Sequence, residues 1–161
     1  MPKYTKMDRS ENKHLENMDR RNKALELFVN GHSCSQSILI AFADKVGIDE
    51  NTAFRIAAGL GGGIGRTQNI CGAINAGAIV LGLHHGNYQP DDQMSKSRVA
   101  GLVGQFISDC NKELGATQCL DLIKIDLNNP EQKKIANESG HLAKICNNAV
   151  VKVAGILEHY L

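Results

Sequence analysis

Tryptophan is absent from this chain, and phenylalanine and tyrosine together supply the whole of an aromatic content of only 4%. A sandwich of aromatic-rich strands is thereby disfavoured, and the core must be built from Ile, Leu, Val and Ala, which suits closely packed helices. An excess of charge is missing too. The formal net charge is +1, so no basic surface argues for a nucleic-acid partner. The most apolar run, Ile70 to Leu83, spans about 14 residues and is short of the roughly 20 that cross a bilayer as a helix. The opening stretch MPKYTKMDRSENKHLENMDRR has no apolar segment of the kind a secretory signal needs. These absences place the protein in the cytoplasm, without membrane insertion, where thiols stay reduced.

Two motif classes are missing as well. There is no C-x-x-C and no C-x-x-C-H, which sets aside thioredoxin-like exchange, zinc ribbons and covalent haem attachment. The glycine-rich stretch Gly59-Leu60-Gly61-Gly62-Gly63-Ile64-Gly65-Arg66 contains no intact G-x-G-x-x-G and no G-K-[ST], and it follows a helical pattern where a nucleotide site would follow a strand. Its glycines instead let the backbone come close to a neighbour, with N–H groups free to meet a sulfur. Residues Gly61, Gly62, Gly63 and Gly65 are the candidates for that role.

What is present is a series of helical signals. Residues 1–15 read as a polar arm and residues 16–161 as one helical domain. Ala24, Leu25, Phe28 and Val29 share a face of a helix expected over Asn17–Asn30 and stopped by Gly31. Ser33-Cys34-Ser35-Gln36 is a capping box that puts Cys34 in the first turn of a second helix ending near Gly47. Asp49 caps a short third helix. Asn69 is expected to cap a fourth from Ile70 to His85, with Cys71 in its first turn and a circumference rich in Gly and Ala. Asp91 or Asp92 opens a fifth, with Val99, Leu102, Val103, Phe106 and Cys110 at helical spacing. Thr117 caps a short helix with Cys119 in its first turn, and Asn129-Pro130 restarts the chain helically. The last helix carries Leu142, Cys146, Ala149, Val150, Val153 and Leu157 on one stripe. The fold class is all-α: one domain of six or seven helices around a small-residue-rich central helix.

Five cysteines in a reducing compartment leave packing, metal binding or catalysis. Cys110 belongs to an apolar stripe and reads as packing, and Cys146 alone would read the same way. Cys34, Cys71 and Cys119 differ, because a first-turn position offers N–H donors and a favourable dipole to a sulfur anion. His32, His84 and His85 fit a turn and a helix C-terminus without a functional role.

The arrangement of His32-Ser33-Cys34-Ser35-Gln36-Ser37, Gly61 to Gly65 leading to Cys71-Gly72-Ala73, Gly115-x3-Cys119 with Asp126-Leu127 and Pro130 behind it, and Cys146-x3-Val150 resembles the C_GCAxxG_C_C family of redox proteins. The similarity covers about residues 20–160. One departure is visible: the family motif continues C-G-A-x-x-G, whereas Cys71-Gly72-Ala73-Ile74-Asn75 is followed here by Ala76 and then Gly77. The resemblance makes Cys34, Cys71, Cys119 and Cys146 the functional cysteines and leaves Cys110 outside the set. It implies redox activity, with a related cluster-bearing domain in split-Soret cytochromes. Four thiolates are the usual complement of an iron–sulfur cluster, so the leading expectation is a cluster on these cysteines serving electron transfer or redox sensing. Zinc, the other four-thiolate ion, would not explain redox use. A metal-free thiol–disulfide enzyme with Cys71 or Cys34 as nucleophile is the second expectation, and a helical interaction module with inert cysteines the third. A separate redox protein is the implied partner, and sharing of an exposed face would make a homodimer.

Overall fold

The computed structural model describes residues 19–87 and 89–161; the expected polar arm of residues 1–15 lies outside them. Eight α-helices and one 3-10 turn make up the described chain, with no β-sheet: α1 (Arg20–Val29), α2 (Cys34–Ala41), the 3-10 turn (Ala43–Val46), α3 (Glu50–Ile56), α4 (Gly72–His85), α5 (Gln93–Leu114), α6 (Cys119–Ile123), α7 (Pro130–Glu138) and α8 (His141–Glu158). The count exceeds the expected six or seven because the chain breaks at Ser139-Gly140, where Gly140 takes a left-handed φ of 75°. No helix among the described residues is long and apolar enough to cross a membrane.

α4 is the central element. It packs on α2, α5 and α8, and Gly72, Ala73, Ile74, Ala76, Gly77, Val80 and Leu81 are all buried along it. Small side chains allow this close approach on several sides at once. At Gly77 the limit is reached: a Cβ there would lie 2.4 Å from Cζ of Phe106, itself fully buried. At position 76, where the family motif has glycine, the Ala76 methyl is accommodated with no exposure.

α2 is buried on nearly all sides, from Ser35 to Ala41. Its buried polar groups are satisfied locally, as buried hydroxyls and amides must be. Ser35 Oγ donates to Ala57 O at 2.9 Å, Ser37 Oγ to Ser33 O at 2.8 Å, and Gln36 Nε2 to Phe54 O at 3.3 Å. The capping box is complete: the Gln36 N–H donates to Ser33 Oγ and the Ser33 N–H to Gln36 Oε1. Charged fasteners hold α1 against this group. Lys23 pairs with Glu50 at 2.8 Å, and Arg20 bridges Asp44 while its guanidinium lies over Phe42.

Replacing Gly77 by alanine should therefore destabilise the fold. Alanine's better helix propensity is worth about 1 kcal/mol, but overpacking against a rigid buried ring costs about 1–3 kcal/mol. The expected outcome is a lower urea midpoint for Gly77→Ala, and partial recovery in Gly77→Ala/Phe106→Leu.

Candidate functional site

The chain enters α2 through Ser33, and the capping box fixes Cys34 as its first helical residue. α4 begins two residues later than the sequence suggested. Cys71, not Asn69, occupies the N-cap position with φ −47° and ψ 134°, and Asn69 Nδ2 donates to Thr67 Oγ1. The two helix starts meet at one sulfur. A Cβ on Gly72 would lie 2.7 Å from Cys34 Sγ and 2.8 Å from Leu60 O, so only glycine lets the head of α4 come this close.

The glycine-rich segment that links α3 to α4 makes this meeting possible. Gly62, Gly63, Ile64, Gly65 and Arg66 all have φ between 59° and 71°, and Gln68 has 61°. Consecutive left-handed residues form a turn that costs L-residues roughly 1–2 kcal/mol each. Backbone hydrogen bonds hold it: Ile64 N–H to Leu60 O, Gly65 N–H to Gly59 O, Arg66 N–H to Gly61 O and Gln68 N–H to Gly62 O. The buried Gln68 side chain is a strut, donating to Ile125 O at 2.7 Å and accepting from the Leu127 N–H at 3.0 Å. Nothing in the sequence marked Gln68, a polar residue in a polar loop.

The same segment pins Cys119. The Cys119 N–H donates to Asn69 O at 2.7 Å, the Cys71 N–H to Thr117 O at 2.8 Å, and Ile70 pairs with Gln118 as an isolated antiparallel bridge. α6 has only five residues and no side-chain cap. Cys146 comes from α8. All four cysteines line one cavity of about 510 Å3 together with Gly62. Cys110 is fully buried in the core elsewhere, as the stripe predicted. Among the candidate glycines, Gly61 and Gly63 pack the loop: a Cβ would lie 3.1 Å from Ser33 Cβ at Gly61 and 2.5 Å from Asn69 O at Gly63. Gly65 faces open space.

Electrostatics separate the sulfurs sharply. The Cys71 thiol hydrogen-bonds Cys34, and this contact is the main cause that brings Cys34 down from 9.0 to about 7; burial opposes it, while the N–H groups of Gly62, Ser35 and Ala73 add to it. That same hydrogen bond, with burial and the charge on Cys34, holds Cys71 well above 9.0. The pair thus shares one proton, resident on Cys71. Burial pushes Cys119 up to about 11 and Cys146 up to about 12, the Cys34 charge adding to both. Three helix-start cysteines were expected to favour thiolates, but only Cys34 does. Cys119 heads a helix too short to offer a useful dipole, and Cys71 spends its proton on its neighbour.

The donor set tests the metal expectation. The four thiols share a wall, yet among the described residues no three of His, Cys, Asp and Glu are arranged to hold a metal ion. Comparison with protein families matches residues 32–160 to the family described as "Putative redox-active protein (C_GCAxxG_C_C)". No curated protein and no solved structure matches the chain.

One thiol should alkylate fast near neutral pH. Because the thiolate reacts, the iodoacetamide rate at Cys34 should rise with pH through an inflection near 7 and level off above it. Cys71→Ala removes the main donor and should move that inflection up by about one unit or more. Alkylation followed by peptide mapping measures both.

Proposed function

The chain belongs to the C_GCAxxG_C_C family of redox-active proteins, and from that premise we propose that it works through a dithiol–disulfide couple of Cys34 and Cys71. The observation that carries this reading is the placing of Cys34 and Cys71 on one cavity wall where two helix starts meet, with Gly72 bare against the Cys34 sulfur. A nucleophilic thiolate and a protonated partner in direct contact are what reversible disulfide chemistry needs. Cys34 attacks the oxidant, and Cys71 resolves the product by attacking the Cys34 sulfur. Closing the bond requires the sulfurs to move from hydrogen-bond contact to about 2.05 Å.

The iron–sulfur cluster expected from the resemblance is the second reading. It is favoured by the gathering of Cys34, Cys71, Cys119 and Cys146 on one cavity. The dithiol reading engages two of these four sulfurs and accounts for their unequal acidity. Iron and acid-labile sulfide measured in anaerobically purified protein separate the two.

Fully reduced protein treated with oxidised dithiothreitol should form a single internal disulfide that maps to Cys34 and Cys71 and opens again with reduced dithiothreitol. Cys34→Ser and Cys71→Ser should each abolish it, whereas Cys110→Ser should leave it intact. A disulfide mapping to other cysteines, or none at all, overturns the proposal.

A further inference from the structure

The cavity in front of Cys34 carries a chemical signature of its own. Phe28, Val29, Leu122, Leu127, Leu142 and Ile145 give its wall an apolar character, and among the described residues its polar side chains besides the thiols are those of Ser33, Asn137 and Asn147. No charged side chain among the described residues lines it. A volume of about 510 Å3 lies in the range of small-ligand sites. Charged disulfides such as glutathione would have to shed water from their carboxylates here with no cation to receive them, which is costly. The occupant that fits is small, uncharged and largely apolar.

The immediate surroundings of the sulfur narrow the chemistry further. Cys34 Sγ is hemmed in by Gly72, where even a methyl group would come to 2.7 Å. An exchange partner that leaves a bulky group attached to this sulfur, while Cys71 attacks from the side, has little room. Addition of a single oxygen atom does not raise that difficulty. The Cys71 thiol lines the same cavity, one residue before the Gly72 that abuts Cys34 Sγ, and burial helps to keep it protonated, so it is a proton donor beside the reacting atom. A departing thiolate has little need of one. A departing alkoxide does, since alcohols are about as weakly acidic as water, whose pKa is about 15.7.

We propose that the oxidant taken by this cavity is a small apolar organic hydroperoxide; this rests on the Cys34–Cys71 dithiol reading. The Cys34 thiolate attacks the terminal oxygen of the hydroperoxide, a sulfur–oxygen bond forms and the oxygen–oxygen bond breaks. The alkoxide takes the Cys71 proton and leaves as the alcohol, with Cys34 now a sulfenic acid and Cys71 a thiolate. Cys71 then attacks the Cys34 sulfur; the sulfur–sulfur bond forms, the sulfur–oxygen bond breaks, and the hydroxide takes a solvent proton to leave as water. The protein gives up two electrons and the hydroperoxide is reduced to alcohol and water. A dithiol reductant of the kind used above returns both cysteines to the thiol state.

The test compares cumene hydroperoxide with hydrogen peroxide on the reduced full-length protein near neutral pH, following loss of free thiol and appearance of the Cys34–Cys71 disulfide by peptide mapping. Cumene hydroperoxide should react about tenfold faster or more, the order expected for burying a phenyl-sized group. Ala143 is an exposed residue on the cavity wall, so Ala143→Phe should narrow the cavity and cut that preference severalfold, and Cys34→Ser should abolish both reactions. Hydrogen peroxide reacting as fast as cumene hydroperoxide overturns the proposal. So does a Cys34–Cys71 disulfide that forms with oxidised dithiothreitol but not with cumene hydroperoxide, in which case the dithiol reading stands. Failure to form that disulfide with any oxidant removes both.

Discussion

The contact between the Cys34 sulfur and the bare α-carbon of Gly72 is the constraint on which the site depends. It brings the starts of α2 and α4 together, so that the amides of Ser35 and Ala73 and the thiol of Cys71 all face one sulfur. A thiolate in an apolar wall is penalised by desolvation. Here that penalty is offset by donors from two helix heads and a loop, fixed before any substrate arrives. A single added methyl at position 72 would meet both the sulfur and the Leu60 carbonyl, which disturbs the donor set from two directions.

Such an approach demands an unusual route for the chain between α3 and α4. Five successive left-handed residues, two of them non-glycine, fold the loop tightly enough to present the Gly62 N–H to Cys34 and then deliver Cys71 to its N-cap position. Left-handed Ile64 is a β-branched residue in a region such residues avoid, and strain of this kind persists only where the surroundings over-determine it. The surroundings do so through Gln68, which anchors to the 125–127 segment, and Asn128, whose side chain donates to Arg66 O. Cys119 is held by the same scaffold, its amide bonded to Asn69 O. Loop geometry and cysteine placement are one problem with one solution.

Much of this was legible in the sequence, and what was not has physical reasons. The capping box at Ser33 and Gln36 is a local signal, and it placed Cys34 correctly because both partners lie within one turn. Small residues along α4 marked a helix approached from several sides, and Cys110 followed the apolar stripe of α5 into the core. The stripe of α8 was ambiguous for Cys146, since a wall of a cavity and the core of a domain demand the same apolar periodicity. Gln68 and the left-handed course of Ile64 and Arg66 were invisible, because their partners lie some 60 residues away in sequence, at Ile125 to Asn128. The start of α4 was misplaced by two residues for a similar reason: the Cys71 amide bonds to Thr117 O, a long-range partner that local capping rules do not include.

Proximity makes the two central thiols unequal, and the inequality sets a direction for their chemistry. The hydrogen bond to Cys34 raises Cys71, burial raises Cys119 and Cys146, and the charge on Cys34 adds to all three, so a second charge nearby is harder to form. With no cationic side chain among the described residues lining the cavity, one negative charge is as much as this apolar wall sustains unless a cation enters with the ligand. The reduced site is therefore a single nucleophile flanked by three protonated sulfurs, and the sulfur in contact with it holds the proton that a leaving group can take. Holding a second thiolate here would take positive charge brought from outside the wall, since the wall itself supplies side chains such as leucine and isoleucine.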